Sequence, residues 1–294
     1  IQTLDIHTLE VLQKSSASLL VKIGGMIVGF LVSIMLGRTL GAEGLGIINL
    51  AFRIISILMI LGLFGFPQTI IKEVSKAFSK EDWEHVGNVM FSSYVFNGIM
   101  TTLIVIPCIL LSPWISNEVF NEPRLTYPLI IALIAMIPQV FSRIFSSALI
   151  GYRKIWQSNL VDQALSIFIV GLFILLALLF QYELTIFRVA LFYGVGRLVV
   201  MLTMLMYWKK LYSFNFKKRL ISKKLLKTAT PLLLVSAALV ISSSIDTVML
   251  GWLSTSEQVG LFSVALKIAL LTSFFLQITI STLSPKIAAL YGDN

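Results

Sequence analysis

Positively charged side chains interrupt several long apolar stretches of this sequence. The cations near or within these stretches are Lys22, Arg53, Arg143, Arg188, Arg197 and Lys267, whereas the comparable acids are Asp162 and Asp246. A charge inside an apolar helix is costly and usually faces a wet cavity or a partner group. Arginine holds phosphate or carboxylate through paired donors, and lysine holds it as a point charge. The surplus of positive charge therefore predicts a binding site for an anion.

Arg53 and Lys267 are the strongest candidates for substrate-binding residues of this site. Arg53 shares a helical face with Asn49 and Ser56, and Lys267 occupies the corresponding position of a second, similar stretch. Two such cations facing each other would clamp a diphosphate. The alternative is that both side chains extend to lipid headgroups at the membrane surface. Arg197, midway along its own apolar stretch, is a further candidate for the wall of a cavity.

Lys22 is the fourth candidate among the substrate-binding cations. It shares a helical face with Gly25, Gly29 and Ser33. Small residues on one face equally favour a seam where two helices pack, and a lysine near a helix end can extend to headgroups. The sequence leaves the cavity, the seam and the headgroup alternatives open.

Arg143, Asp162 and Asp246 have coupling or structural roles in our interpretation. Arg143 and Asp162 lie toward the same end of neighbouring apolar stretches. Because buried charges usually pair, an ion pair is favoured over a ligand site. Asp246 follows Ser242 and Ser243, and it would bond such local hydroxyls, pair with a cation or bind a coupling ion.

The residue types needed for catalysis are sparse and scattered. The two histidines, His7 and His85, lie far apart in the chain. The sequence contains no metal-ligand spacing, nucleophile elbow, phosphate-binding loop or dinucleotide fingerprint. We therefore predict that the protein is not an enzyme and has no catalytic residue, bound metal or cofactor.

The composition places these charges in a membrane. Hydrophobic residues make up 57% of the 294 residues and charged residues 13%, about half the charged share of a soluble domain. A membrane-spanning helix needs about 20 apolar residues. This measure predicts about eight such helices, at roughly 17–37, 45–66, 88–111, 127–149, 160–180, 185–208, 230–250 and 259–283. The predicted fold is an all-α integral membrane protein.

Basic residues set the predicted orientation and the domain boundaries. They concentrate in alternate connections, most densely in KKLYSFNFKKRLISKKLLK at 209–227, and such connections face the cytoplasm. We expect a multi-pass protein of the cell (inner or plasma) membrane with a cytoplasmic N-terminus. The net charge of +9 then reflects contact with anionic lipid, and no nucleic-acid partner is expected. The predicted domains are a six-helix N-terminal lobe at 1–208, a basic cytoplasmic linker at 209–228 and the start of a second lobe, with two helices, at 229–294.

The two apolar stretches after the linker repeat the first two. At an offset of 214 residues, SIMLGRTLGAEGLGIINLAFRI at 33–54 aligns without gaps on TVMLGWLSTSEQVGLFSVALKI at 247–268. Gly46 falls on Gly260, and Arg53 falls on Lys267. Repeated halves are typical of secondary transporters, whose binding sites lie where the halves meet. A complete second unit would extend well beyond residue 294, so either the chain is a fragment of a protein of about 12–14 helices, which we expect, or the repeat was truncated in evolution.

These repeated stretches resemble a known family. LGRTLGAEGLGIINLA at 36–51, followed by GLFGFPQTIIKEVSK at 62–76, is similar to the polysaccharide and oligosaccharidyl-lipid flippases of the multidrug/oligosaccharidyl-lipid/polysaccharide (MOP) exporter superfamily. The resemblance implies two six-helix lobes around a central cavity that opens alternately to each side. It implies export of a lipid-linked oligosaccharide, such as an O-antigen (lipopolysaccharide), capsule or exopolysaccharide repeat unit. It also implies cavity cations on the first two helices, which Lys22 and Arg53 match by helix and approximate depth.

The implied partners are the lipid-linked anionic oligosaccharide, membrane lipids and glycan-assembly proteins. Three alternatives remain open at this point. The first is a related exporter of drugs or of a peptidoglycan lipid precursor, the second is a membrane glycan polymerase or transferase, and the third is a non-transporting fragment. The first predicted membrane helix, 17–37, contains no acidic residue, which disfavours cation-coupled drug export.

Overall fold

The computed structural model describes residues 6–211 and 223–270, and these residues are helical almost throughout. The helices are α1 (Ile6–Leu63), α2 (Phe66–Phe78), α3 (Trp83–Trp114), α4 (Thr126–Gly151), α5 (Ile155–Asn159), α6 (Ser166–Leu179), α7 (Ile186–Leu211) and α8 (Lys223–Leu253). A further helix, α9, begins at residue 256 and is described to residue 270. Short turns extend or join these helices: π-helical Ile115–Val119 after α3, 3-10 Pro123–Leu125 before α4, and π-helical Leu160–Leu165 between α5 and α6.

Six helical segments of the described chain are long and apolar enough to cross a bilayer: Leu19–Leu63, Trp83–Val119, Pro123–Gly151, Ile155–Leu179, Ile186–Leu211 and Leu225–Leu253. The first contains 45 residues, and a straight helix of that length would extend about 67 Å, over twice the hydrocarbon thickness of a bilayer. It is bent at Gly41, so each of its arms accounts for one crossing. Together with α9, these segments confirm the all-α membrane fold.

The bend in α1 depends on the backbone of Gly41. This residue has φ 71° and ψ 177°, a conformation that a residue with a side chain rarely adopts. The sequence predicts a longer outer turn here, whereas helix continues up to residue 40 and resumes at residue 42. The two arms then pack against each other through a cluster that contains Val32, Leu36, Leu45 and Ile48. A single glycine therefore makes the turn between the two arms, where the sequence predicts a loop of several residues.

Helix α4 forms the centre of the bundle. It packs against α1, α2, α3 and α7, and its residues Leu133, Met136, Val140 and Ile144 are fully buried. Their spacing of three and four residues places them along one stripe of the helix. This packing fixes α4 in place, so that polar residues on its next turns are held at a defined position in the bundle.

The repeated stretches meet at a crossing of two glycines. A β-carbon added to Gly46 would lie 1.7 Å from the carbonyl oxygen of Ser256, and one added to Gly260 would lie 1.9 Å from the carbonyl oxygen of Ala42. The offset of 214 residues relates Gly46 to Gly260 and Ala42 to Ser256. The two contacts are therefore equivalent under the repeat, as expected where two related units pack about a local two-fold axis.

The domain division at 1–208, 209–228 and 229–294 stays a prediction. Residues 212–222 of the predicted linker and residues 271–294 of the predicted second lobe lie outside the described residues. Among the described helices, α8 packs against both α1 and α2. Helix α8 therefore forms one wall of a cavity beside α1 and α2.

Candidate anion-binding cavity

A cavity of about 430 Å³ lies between the second arm of α1 and helices α2, α4, α5 and α8. Its residues on α1 begin at Arg53, so it occupies the half of the bundle away from Gly41. The charged residues that line it within the described chain are Arg53, Arg143 and Asp162. The neutral polar residues that line it are Ser56, Gln68, Gln139, Ser146, Ser147, Ser158, Asn159, Ser236, Ser243 and Ser244. The wall combines surplus positive charge with many hydroxyl and amide groups.

Arg53 reaches across the boundary between the repeated units. It lies on the second arm of α1, and its Nη1 donates a hydrogen bond to the carbonyl oxygen of Ser243 on α8, at 3.1 Å. The side chain is half-buried and lines the cavity. A guanidinium group has five N–H donors, so this bond orients the group and leaves donors for a ligand.

Lys267 reaches across the same boundary in the opposite direction. Its Nζ donates to the hydroxyl of Ser33 on the first arm of α1, and that hydroxyl donates in turn to the carbonyl oxygen of Gly29, at 2.8 Å. Lys267 is close enough to Arg53 for the two positive charges to repel each other. It is not among the described residues that line the cavity.

The two cations are related by the repeat in their contacts as well as in the sequence. The offset of 214 residues relates Arg53 to Lys267 and Gly29 to Ser243. Arg53 bonds the Ser243 carbonyl directly, whereas Lys267 reaches the Gly29 carbonyl through the hydroxyl of Ser33. Each unit thus places one cation on the first helix of the other unit.

Arg143 and Asp162 form an ion pair, as the sequence predicts. Arg143 Nη1 lies 2.6 Å from Asp162 Oδ2. The Asp162 side chain is 7% exposed and the Arg143 side chain is 45% exposed, so the carboxylate is enclosed while the guanidinium faces the cavity. Asp162 lies in the π-helical turn Leu160–Leu165, and such turns frequently occur at functional sites. Arg143 therefore combines a structural contact with a position in the cavity wall.

Arg197 and Lys22 occupy other positions. Arg197 on α7 is half-buried and close enough to Asp162 and Arg143 to interact electrostatically with both. Lys22 is half-buried on the first arm of α1, on the face where a β-carbon added to Gly25 would lie 3.3 Å from the β-carbon of Ala164. This close packing favours the seam alternative for that face. Neither cation is among the described residues that line the cavity.

Asp246 makes a local contact on α8. Its Oδ1 accepts hydrogen bonds from the backbone N–H of Thr247, at 2.7 Å, and from the Thr247 hydroxyl, at 3.3 Å. Of the three alternatives that the sequence leaves open, the structure shows bonding to a neighbouring hydroxyl. The partner is Thr247 and not Ser242 or Ser243.

Several lining residues were not identified from the sequence. Gln68 on α2, Ser158 and Asn159 on α5, and Ser244 on α8 contribute polar groups to the cavity. Ser158 also joins two walls, because its hydroxyl lies 2.6 Å from the hydroxyl of Ser146 on α4. Isolated serines and amides are common in membrane helices as packing contacts. That these side chains face the same cavity can be recognised only from the packing of the helices.

A second polar cluster lies at the opposite end of the bundle, beside Gly41. Arg124 donates to Glu43 and to both carboxylate oxygens of Glu122, with its Nε 2.9 Å from Glu122 Oε1. Ser256, at the start of α9, donates to Glu122 Oε2 at 2.8 Å. Burial alone would raise the pKa of Glu122, but the bonds from Arg124 and Ser256 outweigh it and hold that pKa below its ordinary value. This hinge-end cluster (Glu43, Glu122, Arg124 and Ser256) joins the two repeated units.

The fold and the cavity define a multi-pass helical membrane protein with a polar, positively charged interior. The chain belongs to the polysaccharide biosynthesis protein family, whose model matches residues 11–290. This match confirms the family resemblance inferred from the sequence.

Two individual relatives extend the comparison. Stage V sporulation protein B of Bacillus subtilis (strain 168) is 27% identical over 124 residues, which cover 42% of this chain and 23% of that protein. A solved structure named protein A superimposes with a TM-score of 0.62 at 15% identity, over 96% of this chain and 66% of that chain. The structural likeness supports the fold. In both comparisons the chain spans less than two thirds of the relative's length.

Proposed function

We propose that the protein exports a lipid-linked oligosaccharide across the cell membrane by alternating access, as a flippase. The observation that supports this proposal is the polar cavity with two arginines in its wall, inside an apolar bundle. The cavity borders α8, where the first unit meets the repeated unit, and transporters built from repeats bind their substrates at such boundaries. Membership of a polysaccharide biosynthesis family points to a glycan as the cargo.

The arginines suit the diphosphate that links a glycan to its lipid. Arg53 is oriented by the Ser243 carbonyl, and Arg143 is oriented by Asp162. A guanidinium group binds phosphate oxygens through parallel hydrogen bonds, and these are stronger in a cavity than in bulk water. Lys267, close to Arg53, adds to the positive potential that an anionic head would experience.

The neutral polar wall suits the sugars next to the diphosphate. Serine hydroxyls and the amides of Gln68, Gln139 and Asn159 supply both donors and acceptors for sugar hydroxyls. Binding sites for small ligands typically measure about 300–1,000 Å³, and the volume of about 430 Å³ falls within that range. A site of this size holds the diphosphate and the first sugars of a longer glycan.

The charges in the wall disfavour a cationic drug as cargo. Asp162 is the acid that lines the cavity in the described chain, and its carboxylate is paired with Arg143. A cation entering the cavity would meet two arginines before any uncompensated acid. With a cytoplasmic N-terminus, as the distribution of basic residues favours, the cavity lies in the cytoplasmic half of the membrane.

Reconstitution into vesicles tests this proposal. Vesicles carry a fluorescent polyprenyl-diphosphate oligosaccharide in both leaflets, and a glycosidase that cannot cross the membrane is added outside. Without a flippase the enzyme digests the outer half of the glycan; with the full-length protein we expect digestion to approach completion. Digestion that stops at the same fraction as in protein-free vesicles would contradict the proposal. Uptake of a cationic dye by the same vesicles would instead favour drug export.

A further inference from the structure

A second cavity of about 430 Å³ lies between α6 and α7 and shares no lining residue with the anion-binding cavity. It is formed by the end of α6, the connection that follows and the start of α7, and its lining residues are Phe173, Leu176, Ala177, Phe180, Tyr182, Glu183, Leu184, Arg188, Leu191 and Phe192. We call it the lateral groove. Its lining is aromatic or aliphatic except for Glu183 and Arg188, so it combines an apolar trough with one charge of each sign.

The lateral groove opens at the end of the bundle that carries Gly41. A β-carbon added to Gly44 would lie 3.5 Å from Ile186, the first residue of α7, and the rings of Tyr127 and Phe187 pack edge to face nearby. Phe173 and Phe192, with ring centroids 5.4 Å apart, join α6 to α7 along the groove. The residues of α6 and α7 that form the groove include exposed apolar side chains, such as Leu176, Phe180 and Leu191, as expected for a face in contact with lipid.

The two charges lie together at the polar mouth of the groove. Arg188 Nη1 donates to the backbone carbonyl of Glu183, and the Arg188 backbone N–H donates to the Thr185 hydroxyl at 3.3 Å. Both charged side chains are exposed, as is the neighbouring Tyr182. Tyrosine and long charged side chains are typical of the headgroup region of a bilayer. The mouth of the groove is therefore at headgroup depth, and its trough extends along the acyl chains.

We propose that the lateral groove is a binding site for an aminophospholipid of the phosphatidylethanolamine type. One acyl chain fills the apolar trough, the phosphate pairs with Arg188, and the primary ammonium pairs with Glu183. The alternation of charge matches a zwitterionic headgroup. Phosphatidylglycerol lacks the cation that Glu183 would hold, and phosphatidylcholine has a cation without an N–H to donate. This inference does not rest on the proposed transport function.

Native mass spectrometry of the full-length protein tests the site, with each of the three phospholipids added separately at equal concentration. We expect preferential retention of phosphatidylethanolamine. The change Glu183→Gln should weaken its retention by about three- to fivefold, in the range for an exposed charge pair. It should not weaken the retention of phosphatidylglycerol, which has no cation for Glu183 to hold. Arg188→Gln should weaken both lipids, because it removes the partner of the phosphate. Leu176→Trp, which fills the trough, should weaken all three lipids.

Arg38→Gln is the matched control, since Arg38 is another exposed arginine close to Gly41. It removes the same charge at the same end of the bundle without altering the groove. The proposal would be overturned if Arg38→Gln and Arg188→Gln lost lipid retention equally. It would also be overturned if Glu183→Gln kept the preference for phosphatidylethanolamine. Either result would indicate unspecific lipid contact. If Arg188→Gln disturbs folding, the Glu183→Gln variant still decides the question, because Arg188 bonds the backbone carbonyl of residue 183 and not its carboxylate.

Discussion

Gly46 and Gly260 each lie against the backbone of the opposite helix, and each occupies the position that the other has in the repeat. A β-carbon on Gly46 would overlap the carbonyl oxygen of Ser256, and one on Gly260 would overlap that of Ala42. Backbone atoms cannot move aside as a flexible side chain can. The crossing therefore sets how closely the two units approach at the end of the bundle beside Gly41.

Substitution of either glycine by alanine should destabilise the protein. The added methyl group forces the helices apart, and such overpacking typically costs about 1–3 kcal/mol. We expect Gly46→Ala and Gly260→Ala each to lower the melting temperature of the purified protein in detergent. Gly37→Ala is the matched control: it lies in α1, and its nearest neighbour, Leu45 Cδ2, is 4.0 Å from the added carbon. Melting temperatures of the two test variants equal to that of the control would refute a tight crossing.

The hinge-end cluster should make stability depend on pH through Glu122. The pKa of Glu122 in the folded protein is below the ordinary value of 4.5, because bonds from Arg124 and Ser256 outweigh the effect of burial. The ionised form therefore favours the folded state. This stabilisation is present above about pH 4.5 and is lost as the pH falls through the folded-state pKa.

Thermal melting at several pH values between 7 and 3 measures this effect. Glu122→Gln should melt at a lower temperature than the wild type at pH 7, and the difference should stay constant down to about pH 4.5 and shrink below it. Glu118→Gln changes an exposed carboxylate on the neighbouring π-helical turn and is the control. A difference between wild type and Glu122→Gln that does not shrink below about pH 4.5 would show that the carboxylate charge does not contribute to stability.

The ion pair of Arg143 and Asp162 should behave as a coupled unit. Removing Arg143 alone leaves the enclosed carboxylate of Asp162 without this partner, and an unsatisfied buried polar group costs roughly 1–3 kcal/mol. We expect Arg143→Gln to lower the unfolding free energy by that order, and the double change with Asp162→Asn to recover part of the loss. A double-mutant cycle on unfolding free energies gives the coupling. Additive effects of the two single changes would exclude a direct interaction in the folded protein.

The sequence alone predicts the helical membrane fold and the equivalence of Arg53 and Lys267 under the repeat. Long apolar stretches predict the helices because a bilayer imposes their length and composition. The ungapped repeat predicts that equivalent residues meet, and the crossing of Gly46 and Gly260 follows that relation. These features depend on local composition and on the internal repeat, and both can be recognised in the amino-acid sequence without knowledge of the packing.

The walls of the cavity could not be derived in the same way. Arg143 was assigned a structural role, yet it also lines the cavity, since one guanidinium edge pairs with Asp162 while the side chain stays exposed. Ser158 and Asn159 lie on α5, ahead of the predicted stretch 160–180, because the helix begins at Ile155. Such contributions depend on which helix faces meet, and the packing of side chains from distant parts of the chain decides that.

We propose that Arg53, in the cavity wall, binds the anionic head of a lipid-linked glycan and that Lys267, close to Arg53, strengthens this binding through its charge. The most direct test is the amount of glycan displayed on cells whose exporter is replaced by the variants Arg53→Gln and Lys267→Gln, at equal protein level in the membrane. Loss of a charge-assisted bond of about 1.5–3 kcal/mol predicts a fall of roughly ten- to a hundredfold in transport for Arg53→Gln. Lys267→Gln removes a nearby charge and no direct bond to the ligand, so its fall should be smaller. Arg38→Gln should display normally. Normal display in both variants would show that neither cation contributes to binding the anionic head.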